Sequence, residues 1–177
     1  MTVAAFVLGL IGTVLAAGSL GWQVWSFRLQ GARPKLTPIV GFLTAGGLVS
    51  NDATRDFRDS LKSAVSQAAP GPFVIGVTVV NDGRAPFHVT GWAVRADPST
   101  VSFVVLDNQI GGPPIPCDIA PGAEATFVTE LINGRALATA GEAADGKPQR
   151  ITLTVSSGSR TFTTKPVVPA LLALELP

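Results

Sequence analysis

Phe73-Val-Ile-Gly-Val-Thr-Val-Val-Asn-Asp-Gly-Arg84 places Phe73, Ile75, Val77 and Val79 at every second position, so an extended backbone carries all four on one face. This is the clearest strand in the chain, and it is expected to be central in a sheet. Asn81-Asp-Gly-Arg ends it as a turn, because Asp-Gly supplies residues that tolerate positive φ.

Reading forward, Phe87 to Ala96 returns as a second strand, Asp97-Pro-Ser turns again, and Val101 to Leu106 forms a third apolar run. Asp107 to Gly122 reads as a proline-rich loop closed by the Ala-Pro-Gly turn at 120 to 122, after which Ala125 to Leu131 resumes the sheet. Ala136 to Lys147 is expected to be a loop with at most a short helical turn, because its apolar residues are too small to anchor much. Arg150 to Ser156, a Ser157-Gly158 turn and Arg160 to Lys165 form a closing hairpin with Ile151, Leu153 and Val155 facing inward.

Reading backward, Pro70-Gly71-Pro72 separates the strand from a segment with a different period. Between Asn51 and Ala69, residues Phe57, Leu61, Ala64, Val65 and Ala68 share one helical face, with Asn51 or Asp52 as N-cap and Asp56 near the positive end of the dipole. The mixed charges of Asp52, Asp56 and Asp59 with Arg55, Arg58 and Lys62 lack the basic face of a bilayer-lying helix, so its expected role is to cover the sheet. Lys35 to Thr44 alternates around Pro38 and reads as an edge strand ended by Gly46 and Gly47. Short strands punctuated by Gly and Pro predict a mainly β fold, a two-sheet antiparallel sandwich with one inserted amphipathic helix.

Met1 to Phe27 contains no charged side chain, and Arg28, Arg33 and Lys35 follow it. A helix of that length rises about 40 Å at about 1.5 Å per residue, enough to cross a hydrocarbon core of about 30 Å. Trp22, Trp25, Phe27 and Arg28 would form the interfacial belt at its exit. Ala5, Gly9, Thr13, Ala17 and Gly21 recur every four residues and form a ridge of small side chains suited to helix self-association as a homodimer. Ala16-Ala17-Gly18 resembles a signal-peptidase site, but no basic region precedes the apolar run and the run continues past it, which favours a retained anchor. The basic residues after the helix place the following domain in the cytoplasm by the positive-inside rule. The expected organisation is an anchor at 1–27, a linker at 28–34, a sandwich at 35–168 with helix 51–69 inserted, and a tail at 169–177.

Val77-Thr-Val-Val-Asn-Asp-Gly-Arg-Ala-Pro-Phe, Ile119-Ala-Pro-Gly-Ala-Glu-Ala-Thr-Phe and the hairpin at 150 to 165 together resemble bacterial immunoglobulin-like domains, whose second strand reads V-x-V-x-N-x-G. The anchor, aromatic exit, linker and Asn-x-Gly-Arg-x-Pro turn are similar to small single-pass membrane proteins of actinobacteria and their phages. The resemblance implies a sandwich and, because such sandwiches bind in some families and merely space in others, little about activity. The paired cysteines of antibody-type domains are missing, so Trp92 has no disulfide to pack against.

The chemistry-bearing residues are few. With 13 basic against 12 acidic residues and a formal net charge of +1, the chain has no nucleic-acid signature. The single cysteine, Cys117, excludes an intrachain disulfide, and nothing basic adjoins it in sequence to activate it. His88 is the only histidine, with no acid, nucleophile or further metal ligand beside it in sequence. Pro113-Pro-Ile-Pro lacks the flanking arginine of a polyproline ligand. No catalytic residue, cofactor site or metal site is therefore expected. The expected function is a membrane-anchored binding module whose partners are lipid and an unidentified protein. The alternative is a structural or secreted module, such as a phage virion or cell-surface component, with its first helix cleaved or buried in an assembly.

Overall fold

A computed structural model describes residues 2–67, 71–106 and 109–174 of the chain, apart from the side chains of Thr2, Phe27, Arg28 and Leu29. The chain begins with a long apolar helix, α1 (Thr2–Leu29), and continues into mostly antiparallel β-sheet. Two strands follow, β1 (Pro34–Thr44) and β2 (Gly47–Asp52), folded against each other across Ala45-Gly46 with Thr44 opposite Gly47. After helix α2 (Arg58–Gln67), strand β3 (Phe73–Asn81) lies along β1 from Pro34↔Asn81 to Phe42↔Phe73. Its far side pairs with β8 (Glu124–Glu130), giving the sheet order β2-β1-β3-β8.

The Phe73 run is thus interior, with Ile75, Val77 and Val79 fully buried. The Lys35 to Thr44 strand is interior too, not an edge. Pro38 is tolerated there because its carbonyl accepts from Ala53 N–H (2.9 Å), beyond the point where β2 ends opposite Ile39. In extended backbone the N–H and C=O of one residue face the same side, so the donor that Pro38 lacks would have pointed where β2 has run out.

The second sheet has the order β10-β9-β5-β6, formed by β5 (Gly91–Asp97), β6 (Ser102–Val104), β9 (Arg150–Ser157) and β10 (Arg160–Thr163). The expected strand from Phe87 to Ala96 is split. Its first part, β4 (Phe87–Val89), pairs instead with β7 (Cys117–Ile119), a short strand inside the segment expected to be a loop. Phe42, Ile75, Val77 and Phe127 from the first sheet meet Trp92, Val94, Ile151, Leu153 and Val155 from the second in one core. The Trp92 and Phe127 ring centroids lie 6.4 Å apart, and the indole N–H donates to Gln109 Oε1 at 3.3 Å. The third apolar run contains the edge strand β6, where Phe103, and Val105 just after the strand, face inward while Val104 and the neighbouring Val101 and Leu106 are exposed.

The inserted helix begins later than its sequence pattern suggests. Asn51 and Asp52 belong to β2, and Asp56 accepts from the Arg58 N–H at 3.2 Å where α2 starts. Arg58 also pairs with Asp56 at 2.9 Å, and this guanidinium holds the carboxyl below its ordinary range. Leu61 and Val65 are buried, Phe57 and Ala64 pack beside them, and α2 therefore covers the core; Ala68 lies outside the described residues.

The expected loop at 136 to 147 is a helix, α3 (Leu131–Asp145), running straight on from β8. Leu131, Gly134, Leu137 and Gly141 form its buried face. The small residues admit the helix to close range: a Cβ on Gly134 would sit 3.2 Å from Ile75 Cδ1. The described residues 167–174 pack in as well. Val167, Leu171 and Leu174 are buried around the short helix α4 (Pro169–Leu172), and Arg135 donates to the Leu172 carbonyl at 3.0 Å.

Candidate functional site

The apolar helix α1 presents its side chains to the outside. In Val3–Ser26 none of the most apolar window is buried, and Trp22 and Trp25 are 71% and 64% exposed. Ala5, Gly9, Thr13, Ala17 and Gly21 are exposed as well. The Thr13 hydroxyl donates to the Gly9 carbonyl at 2.8 Å, so it needs no water there. Ala17 and Gly21 leave a shallow groove bounded by Leu20, Val24 and Trp25. Phe27 and Arg28 belong to the helix, but their side chains lie outside the described residues. A helix of this length and composition at an N-terminus suits either a membrane anchor or a signal sequence.

The helix ends at Leu29, and the domain takes hold of the chain two residues later. Arg84 N–H donates to the Gly31 carbonyl at 3.2 Å and Asp82 N–H to the Arg33 carbonyl at 3.0 Å, so residues 31–33 extend the β1 to β3 pairing onto the turn. Gly83 makes this approach possible, because a Cβ there would overlap the Arg33 nitrogen and the Gly31 oxygen.

Asn81 fixes the arrangement. Fully buried, it accepts through Oδ1 from Arg33 N–H (3.2 Å) and Gly83 N–H (3.0 Å). Through Nδ2 it donates to the carbonyls of Ala85 (2.8 Å) and Ile119 (3.0 Å). Its backbone N–H donates to Ala123 O and its carbonyl accepts from Gly122 N–H. One side chain thereby joins the linker, its own turn and the approach to β8. Sequence reasoning read Asn81 only as a turn residue; the signal available was a polar amide at the end of a mostly apolar strand, two places before a glycine.

His88 does meet an acid. Across the β4–β7 pair its Nδ1 lies 2.7 Å from Asp118 Oδ1, a partner 30 positions away that no local motif reveals. Both side chains are more than half exposed, at 54% and 65%, so water screens the pair. Cys117 is half-buried, and burial first, then the charge of Asp118, push its thiol pKa up, which keeps it protonated and a poor nucleophile. Among the described residues no group of three His, Cys, Asp or Glu side chains is placed to hold a metal ion. Among the described residues, the lining of the depression at Pro72, Phe73, Glu130, Leu131, Ile132, Arg135 and Leu174 includes no Ser, Thr, Cys or His.

Comparisons with protein-family models, with curated proteins and with solved structures find no match to this chain.

Proposed function

We propose that the protein is a single-pass membrane protein whose β-domain is a non-catalytic binding module held against the bilayer. The observation that carries this reading is the exposure of α1: among the described residues, its apolar side chains from Val3 to Trp25 find no cover in the β-domain, and lipid is the solvent that suits them. The rings of Trp22 and Trp25 lie near the exit, where amphipathic aromatics favour the headgroup level. An immunoglobulin-like reading of the domain is supported by the succession β1-β3-β8 facing β10-β9-β5-β6, with Trp92 buried between the sheets. Arg28, Arg33 and Lys35 after the helix favour a cytoplasmic domain. Its partners are lipid and a protein, and the balanced charge argues against nucleic acid.

The rival reading, a secreted or virion module released from its first helix, is favoured by the small residues Ala16-Ala17-Gly18. Membrane fractionation decides between them. The full-length chain is expected to resist carbonate extraction, with its domain spared by protease added to intact spheroplasts. Release of a shortened chain by carbonate would overturn the anchor, and digestion from outside would overturn the orientation.

The anchor also self-associates through Ala5, Gly9, Thr13, Ala17 and Gly21, because helices in lipid gain little from mutual apolar burial and depend on close packing. Leu substitutions at Gly9 and Gly21 are expected to lower the signal of a transmembrane association reporter, and those at Val7 and Val24 to leave it unchanged. A parent signal no higher than that of a monomeric control would remove the dimer.

A further inference from the structure

We infer that the end of the sandwich from which α1 departs is a docking surface for anionic lipid headgroups, contacted by Arg33, Lys35, Arg84 and Arg160. The inference rests on the anchor reading above. Its first support is the length of free chain. Between Leu29 and the hydrogen-bonded Gly31 only Gln30 remains, a span of at most about 7 Å at about 3.6 Å per residue. A domain tethered so closely has to rest its near end on the membrane surface. That end is made of the Asn81 to Arg84 turn, the start of β1 and the start of β8, and the hairpin joining β9 to β10 in the other sheet reaches it through Phe162, whose ring lies 5.4 Å from that of Phe87, the partner of the Asn81-bonded Ile119.

The second support is charge. Arg33, Lys35, Arg84 and Arg160 are all exposed, and among the described residues none of them forms an ion pair. Arg33 and Lys35 stand at the start of β1, Arg84 on the turn that clamps the linker, and Arg160 opposite Ser157 at the hairpin. Among the described residues, Asp82 and Glu124 are acidic at the same end and Asp118, paired with His88, stands beside Ile119 next to it, while Arg28 precedes it on the chain. Because the whole chain has a net charge of only +1, this basic excess leaves the remainder net acidic. Such a polarity draws the near end toward an anionic surface and turns the far end away from it. The sequence shows only Arg28, Arg33 and Lys35 together; folding adds Arg84 and Arg160 from distant positions.

The test uses the full-length chain in bilayers of phosphatidylcholine alone or with phosphatidylglycerol added, each containing a headgroup spin-labelled quencher. A fluorescent probe is attached through Ser159→Cys at the basic end, or through Ala45→Cys at the β1–β2 turn as the far-end control, in a Cys117→Ala background. Both Ser159 and Ala45 are exposed. Quenching at position 159 is expected to rise with the anionic lipid. It should fall back to the neutral-lipid level in high salt and in the combined Arg33→Gln, Arg84→Gln, Arg160→Gln variant, while position 45 stays unquenched throughout. The salt arm needs no substitution, so it stands even where the triple variant misfolds. Equal quenching in the two bilayers, or equal quenching at positions 159 and 45, overturns the docking surface alone. A chain that carbonate washes off the bilayers overturns the docking surface and the anchor together.

Discussion

Val77→Asp is expected to abolish cooperative unfolding of the β-domain. Val77 is fully buried, paired with Pro38 on one side and Phe127 on the other, and its face looks into the shared core of the two sheets. Among the described residues no Lys, Arg or His side chain is buried in that core. An unpaired carboxylate there loses its hydration without compensation, or takes up a proton and still buries an unsatisfied acid; either costs several kcal/mol, out of a total stability of about 5–15 kcal/mol for a domain of this size. The measurement is thermal unfolding of a fragment beginning at Gly31, chosen because residues 31–33 are already bonded to the turn at 82–84. A midpoint within about one degree of the parent would show that Val77 does not face inward. His88→Ala is the control. Its exposed pair with Asp118 predicts a loss below about 1 kcal/mol.

That prediction needs little beyond the sequence, because period-two alternation in a strand is a local property. Phe73 to Val79, Ile151 to Val155 and the closing hairpin are all found where alternation puts them, although Gly158-Ser159 rather than Ser157-Gly158 makes the turn between Ser157 and Arg160. The helical face of Phe57, Leu61 and Val65 was legible for the same reason. Its start was not, since Asn51 and Asp52 read equally well as caps and as the last residues of β2, and pairing with Ile39 and Val40 decides the matter.

Wherever the outcome depends on a distant partner, local reading fails. Gly134 and Gly141 look like helix breakers until α3 is seen lying on Ile75 and Gln149, where a larger side chain would hold the helix away. Thr90 looks like an ordinary position in one long strand; nothing local says that Phe87 and His88 pair with Ile119 and Asp118 while Trp92 pairs with Val155. The His88 to Asp118 contact and the Asn81 network belong to this second kind. Each joins segments that are separated by 30 or more positions along the chain.

Asn81→Ala is expected to lower stability by about 3–5 kcal/mol, far more than its modest size suggests, because it orphans two buried groups, Gly83 N–H and the Ile119 carbonyl, at about 1–3 kcal/mol each and leaves two half-buried ones to water. Arg33 N–H and Gly83 N–H lose their acceptor, and the carbonyls of Ala85 and Ile119 lose their donor. Asn81→Asp separates this account from simple loss of volume. It keeps the shape and the two acceptor contacts, but as a carboxylate it turns an oxygen toward the Ala85 and Ile119 carbonyls. Burial and those carbonyls favour the neutral acid, so the folded pKa of the introduced carboxyl lies above its unfolded value. Stability is then fully present below the unfolded pKa and is lost as pH rises through the folded one, which makes the deficit against the parent larger at neutral than at acidic pH. Urea titrations of both variants at the two pH values measure it, and hydrogen exchange at Arg33 and Arg84 reports whether the linker has come away from the turn. A deficit for Asn81→Asp that does not change with pH, or linker amides as protected as in the parent, would mean that Asn81 is not what fastens the apolar helix to the domain.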